Sequence, residues 1–147
     1  MKAPERRGPV HVVTVFLMRA GKVLVLKRSQ KVGSYRGKWA AVSGYMEPGE
    51  VPWERALKEV REETGLDRKG LSFESEGPPL PIAGTPFIVH PFLFCSKRGN
   101  VRLDREHTEC IWVDPTELAR LDTVPGLADA LRSVMDQGAG CREQGAV

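Results

Sequence analysis

Apolar residues run almost unbroken from Val10 to Met18 and again from Val23 to Lys27, with Arg19-Ala20-Gly21-Lys22 between them. Two runs rich in Val and Leu joined by a short connection holding a glycine predict a β-hairpin, because glycine tolerates the positive φ of a tight turn. Trp39-Ala40-Ala41-Val42 predicts a further short strand. From Pro52 the period changes. Trp53, Ala56, Leu57, Val60 and Thr64 recur at helical spacing, Pro52 suits a first helical position and Gly65 the residue past the end. Beyond Pro78, Pro79 and Pro81, the stretch from Pro86 to Ser96 reads as a strand whose Pro91 requires an edge position or a bulge. Lys97-Arg98-Gly99-Asn100 reads as a turn and Cys110 to Val113 as a strand. Asp114-Pro115-Thr116-Glu117 then reads as a capped helix start, and Leu127, Leu131, Val134 and Met135 as the stripe of a last helix. Strands with interspersed helices predict an α/β sandwich, a mixed sheet with helices on both faces. We expect one domain over residues 1–136 and a fraying tail over 137–147, which has little to bury.

Composition narrows the class. With 147 residues, 41% hydrophobic and 28% charged, the chain matches an ordinary globular domain. Its 22 Lys and Arg against 19 Asp and Glu leave a charge of +3, too mild for a nucleic-acid polymer partner but compatible with small anions. Cys95, Cys110 and Cys141 form no close pair, which favours reduced thiols over a zinc or redox site. The apolar run after the basic N-terminus lacks a small-residue cleavage site and reads as a strand rather than a signal peptide. No stretch reaches the about 18 apolar residues of a membrane span, so a cytoplasmic location with no membrane partner is expected.

Chemistry is concentrated in Lys58-Glu59-Val60-Arg61-Glu62-Glu63-Thr64-Gly65. On a helix, Glu59, Glu62 and Glu63 share an arc of roughly 100° opposite the apolar stripe, so they are expected to point away from the core. Like charges four apart cost about 0.2–0.5 kcal/mol, a sign that a divalent cation would reverse. Taken alone, the cluster reads more readily as a solvated acidic face than as a cation site.

The frame around it decides. Gly44, Glu50 six residues on, then Glu59, Val60, Glu62, Glu63, Gly65 and Leu66 fall in the register of the Nudix hydrolase motif, with Lys58 in place of its arginine. Such a match arises by chance on the order of once in 10⁸ starts. The chain thus resembles the Nudix hydrolases. That resemblance implies an α/β/α sandwich and hydrolysis of a nucleoside diphosphate linked to another group, with Mg²⁺ or Mn²⁺ as cofactor. Carried over onto these positions, Glu59, Glu62 and Glu63 and the Gly44 carbonyl would ligate the metal, with Lys58 beside them in the catalytic set and Glu50 orienting the loop. Hard cations take oxygen ligands and leave room for substrate phosphates, in keeping with this set. Such ions neutralise the diphosphate and acidify water for in-line attack on phosphorus.

The general base stays open among Glu106, Glu109 and Glu59. In relatives a further Glu precedes a tryptophan strand, and Arg105-Glu106-His107-Thr108-Glu109 occupies that place before Trp112, with Glu106 the first choice. Glu109 reads as structural, and His107 as an exposed, incidental histidine. Arg28, Lys31, Arg36 and Lys38 could hold phosphates, and Tyr35 or Tyr45 could stack on a base, while Trp39 and Trp112 read as core.

Three departures from the pattern stand out. Lys58 keeps only a point charge where arginine offers a planar fork. Arg55, four residues before Glu59, would either compete with the metal or supply that fork. Val42-Ser43 replaces a Pro-Gly before Gly44. A catalytically weakened module that binds nucleotides in a regulatory role is the alternative function, although such modules lose motif acids that this chain keeps. An isomerase of the same fold would need a cysteine within residues 36–44, and none is there. The expected partner is a small nucleoside diphosphate derivative of unspecified leaving group. A homodimer is compatible with the sequence.

Overall fold

A computed structural model of the chain describes residues 8–137. In chain order these form β1 (Val10–Arg19), β2 (Lys22–Arg28), β3 (Trp39–Ala40), β4 (Val42–Tyr45), α1 (Pro52–Thr64), β5 (Leu71–Glu76), β6 (Leu80–Pro81), β7 (Phe87–Ser96), β8 (His107–Val113) and α2 (Leu127–Gln137). The expected tail beyond Gln137 lies outside the described residues. All eight strands belong to one mixed sheet, with α1 and α2 packed against it.

β1 and β2 form the predicted hairpin, and both turn residues, Ala20 and Gly21, have positive φ at 52° and 78°. Glycine adopts that geometry without penalty, whereas alanine is strained by about 1 kcal/mol. Ala20→Asn should therefore stabilise the fold by up to about 1 kcal/mol in thermal melts.

The hairpin opens after two residue pairs, Met18 with Val23 and Arg19 with Lys22. The segment from Trp39 to Tyr45 wedges into the gap. β3 pairs with β2 through Leu26 and Ala40, then β4 pairs antiparallel with β1, Val13 opposite Gly44 and Val15 opposite Val42. Sequence patterning marked one strand here. The structure divides it at Ala41, because the segment changes partner there.

β7 lies inside the sheet, parallel to β1 from Val10 beside Phe87 to Met18 beside Cys95. Pro91 is therefore not on an edge strand. Its other flank falls where β5 has ended and β6 has not begun, so its missing N–H disrupts no continuous ladder, and its carbonyl accepts from Gly77 N at 3.0 Å. The register shift is in β5, between Phe73 and Ser75. β5 itself escaped the sequence reading because its buried position is Ser75, whose hydroxyl donates to the Val134 carbonyl of α2 at 2.6 Å, while Phe73 is exposed.

Alternate residues of β1 face opposite layers. Val13, Val15 and Leu17 join Leu24, Leu26, Ala56, Val60, Phe92 and Phe94 under α1, while Phe16 and Met18 join Val25, Leu93, Leu131 and Val134 under α2. A sheet covered on both faces reads as continuous apolar runs. Trp53 fixes the start of α1 by packing on Phe73 and Phe94, with ring centroids 5.1 and 5.3 Å away. Asp114 and Glu117 make the predicted capping box, but the turn they open, Pro115–Arg120, is a 3₁₀ helix. Cys110 carries a free thiol, and Cys141 lies outside the described residues. No helix among the described residues is long and apolar enough to cross a membrane.

Candidate active site

Gly65 ends α1 in a left-handed conformation, φ 76°, and the last two turns of the helix carry the acids. Their expected outward orientation holds only for Glu62, which is exposed. Glu59 and Glu63 are 3% and 2% exposed. Polarity on a helical wheel placed them in solvent, whereas the wedged β4 covers that side of α1. Gly44 is what makes the contact close enough: a Cβ there would coincide with the Glu59 carboxyl group, on Cδ and Oε2. Glu63 Oε1 accepts from Ser43 N at 3.3 Å.

Glu59 and Glu63, one turn apart on the helix, bury their carboxyl groups side by side. Burial, reinforced by the Glu59 charge, raises the Glu63 pKa well above the ordinary carboxylate range, and burial also raises that of Glu59. The charge of Glu62 acts on Glu59 in the same direction.

Arg55 holds this pair from the helix side. Its Nε and Nη2 donate to the two oxygens of Glu50 at 2.9 and 2.7 Å, and its Nη1 donates to Glu59 Oε2 at 2.9 Å. Glu50 in turn accepts from Glu47 N at 2.6 Å and so shapes the loop before α1. Glu50 holds Arg55 strongly protonated, and Arg55 lowers the Glu50 pKa. The fork absent from Lys58, which is exposed, is thus supplied by Arg55. Arg55→Ala should weaken Mg²⁺ binding about tenfold and slow turnover, while Lys58→Ala changes either by less than about twofold. Calorimetric titration of both variants distinguishes them.

A second set of groups meets Glu63 from the loop before β8. Arg102 N donates to the Thr64 carbonyl at 2.8 Å, tying that loop to the end of α1, and Ser29 N donates to the Glu106 carbonyl at 2.7 Å. Carboxylate oxygens of Glu63, Asp104 and Glu106 consequently lie within 4.8 Å of one another. A bulge between Lys27 and Arg28 brings His107 into register at the start of β8. His107 is not the exposed residue expected from sequence but 6% exposed. Its Nδ1 is 2.7 Å from Asp104 Oδ1, and its Nε2 is 3.9 Å from Glu63 Oε1 without a hydrogen-bond partner. Asp104 was missed by sequence reasoning, and the only available signal was the Asp-x-x-His spacing to His107. Glu109 points elsewhere, 3.5 Å from Lys27 at the surface.

These observations fit a hard divalent cation. A buried carboxyl pair whose pKa values burial raises, with further carboxylates and an orphaned imidazole nitrogen beside it, is a set that a positive ion would relieve. Glu59, Glu63, Asp104 and Glu106 could hold an ion, with Glu62 at the rim.

Ser43 and Tyr45 alternate with Gly44 and turn to the opposite side of β4, into an open cleft that also takes in Arg28, Tyr35, Phe87 and the Val124–Leu127 segment. Arg28 Nε donates to the Ser34 carbonyl at 2.9 Å, and burial lowers its pKa while the Glu63 charge opposes that shift. Tyr45 packs on Phe87, ring centroids 6.1 Å apart, and Tyr35 holds a left-handed backbone at φ 49°. Of the predicted substrate residues, Arg28 and Tyr45 line the cleft. Arg36 and Lys38 do not: Arg36 Nε donates to the Val32 carbonyl at 2.8 Å and Lys38 pairs with Asp122 at 2.7 Å.

A family model described as the NUDIX domain matches residues 8–134. The chain is 33% identical over 115 residues to the m7GpppN-mRNA hydrolase NUDT17 of Xenopus laevis, covering 67% of this chain and 38% of that protein. Identity to the 8-oxo-dGDP phosphatase NUDT18 of Homo sapiens is 39% over 113 residues, covering 73% and 32%. The chain therefore spans about a third of the length of these relatives. Its fold superposes on a C. elegans Ap4A hydrolase binary complex with a TM-score of 0.67 at 22% identity, over 84% of this chain and 93% of that one.

Proposed function

We propose, since this chain belongs to the Nudix hydrolase family, that it hydrolyses the diphosphate linkage of a nucleoside diphosphate derivative using Mg²⁺ or Mn²⁺. The buried Glu59–Glu63 pair against Gly44 carries this reading, because it gathers buried acids that a divalent cation would relieve. A bound cation supplies charge neutralisation and Lewis acidity at the diphosphate. Glu59 and Glu63 hold it, helped by Glu62 and the Gly44 carbonyl, and Arg55 fixes the orientation of Glu59. Glu106, beside Glu63, accepts the proton of the attacking water, and Asp104 orients His107 next to it. Arg28 faces the phosphates from the cleft, whose Tyr45 and Phe87 rings offer an apolar surface to a base.

Retention of every motif acid argues for a catalyst over a binding module. The named relatives act on a capped mRNA, an oxidised nucleotide and a dinucleoside polyphosphate, which share a nucleoside diphosphate unit. A panel of ADP-ribose, nucleoside triphosphates with oxidised variants, and dinucleoside polyphosphates tests the proposal. Turnover of at least one, lost on chelation, is the expected result. Failure on all under both Mg²⁺ and Mn²⁺ overturns it.

A further inference from the structure

On the α1 face of the sheet, at the start of β1 and within β7, two imidazoles meet. Val13 is paired with His90 and His11 with Ile88, so His11 and His90 are diagonal neighbours on adjacent parallel strands. His11 Nδ1 and His90 Nε2 are 2.9 Å apart, with ring centroids 5.1 Å apart and planes tilted by 37°. The loop from Met46 to Glu50 walls a solvent-open pocket over them. Glu50 in that loop is committed to Arg55, whereas the Glu47 side chain is exposed.

An N···N contact of this length requires at least one neutral, unprotonated nitrogen, and neutral imidazole is the metal-ligating form. Burial, with the charge of His11 adding to it, lowers the His90 pKa and favours that form. Metal–nitrogen bonds of about 2.0–2.1 Å put two ligand nitrogens about 3 Å apart at angles between square and tetrahedral, so small ring rotations would converge both on one ion. The ring carrying the shared proton would move it to its outer nitrogen or release it to water.

We propose that His11 and His90, at the floor of the pocket whose wall carries Glu47, form a second metal site, specific for a borderline transition ion such as Zn²⁺. Its two imidazole nitrogens select against Mg²⁺, which prefers the oxygen ligands around Glu59 and Glu63. The site stands independently of the proposed hydrolysis.

The chain has three histidines, His11, His90 and His107, so ring ¹H–¹⁵N correlation spectra separate the two sites directly. The probe is Zn²⁺ titrated into the whole chain under excess Mg²⁺. The expected result is saturable 1:1 shifts of the His11 and His90 rings with His107 unmoved. Affinity should drop at least about tenfold in His90→Ala and His11→Ala, and hold in Glu63→Gln. Shifts confined to His107, no shifts at all, unchanged affinity in either histidine variant, or loss in Glu63→Gln overturns the proposal. The wild-type spectra decide it even where a variant fails to fold.

Discussion

Gly44→Ala should abolish hydrolysis and Mg²⁺ binding together. A methyl group at this position would occupy the space of the Glu59 carboxyl group, and the clash is with a carboxyl wedged between α1 and β4 rather than with a free side-chain end. Either Glu59 is expelled, losing its 2.9 Å bond from Arg55, or β4 is driven off the helix. Overpacking of this kind costs about 1–3 kcal/mol. We expect kcat to fall at least about a thousandfold, since a displacement near 1 Å at a reacting centre already costs about a hundredfold and here a ligand is lost as well. The double variant Gly44→Ala with Glu59→Ala should regain melting temperature relative to Gly44→Ala yet stay inactive. A single variant with wild-type metal affinity and turnover would disprove the packing account.

Glu63→Gln should move stability and activity in opposite directions. Without metal, the Glu59–Glu63 pair has pKa values raised above the unfolded ones, so the folded protein retains more protons than the unfolded chain. Stability therefore falls as pH rises from the ordinary Glu range through the raised values. Glutamine removes one buried acid at nearly constant shape and should flatten that decline. In chelator at neutral pH the variant should melt higher than the wild type, while kcat falls by about a thousandfold, as expected for loss of a metal ligand. Melting curves against pH, with and without Mg²⁺, read both effects. A wild-type stability that rises with pH across this window in chelator would contradict the assignment.

Much of the fold was legible because local rules governed it. The Ala20-Gly21 turn, the Pro52 start and Gly65 stop of α1, and the Asp114–Glu117 box each act within a few residues. The spacing from Gly44 to Leu66 was equally plain. What failed depended on contacts between distant segments. Glu59 and Glu63 were placed in solvent because a helical wheel cannot know that β4 enters the opened hairpin beside them. His107 was read as incidental because its burial comes from the loop tied to Thr64 and from the bulge in β2. Pro91 suggested an edge because the gap between β5 and β6 is invisible from the Pro86–Ser96 stretch alone. Among the basic residues, charge could not tell Arg28, drawn into the cleft, from Lys38, occupied by Asp122.

The wedge of β4 also separates two duties along a single backbone. Gly44 serves the acids on one side, whereas Ser43 and Tyr45 serve the cleft on the other, whose outer walls come from Ser34, Tyr35 and the Val124–Leu127 segment. Those walls lie outside the strands and the acid-bearing helix. Chimaeras that exchange residues 30–37 and 123–126 for loops of another family member should thus be retargeted to a new leaving group, with the chemical engine inherited unchanged.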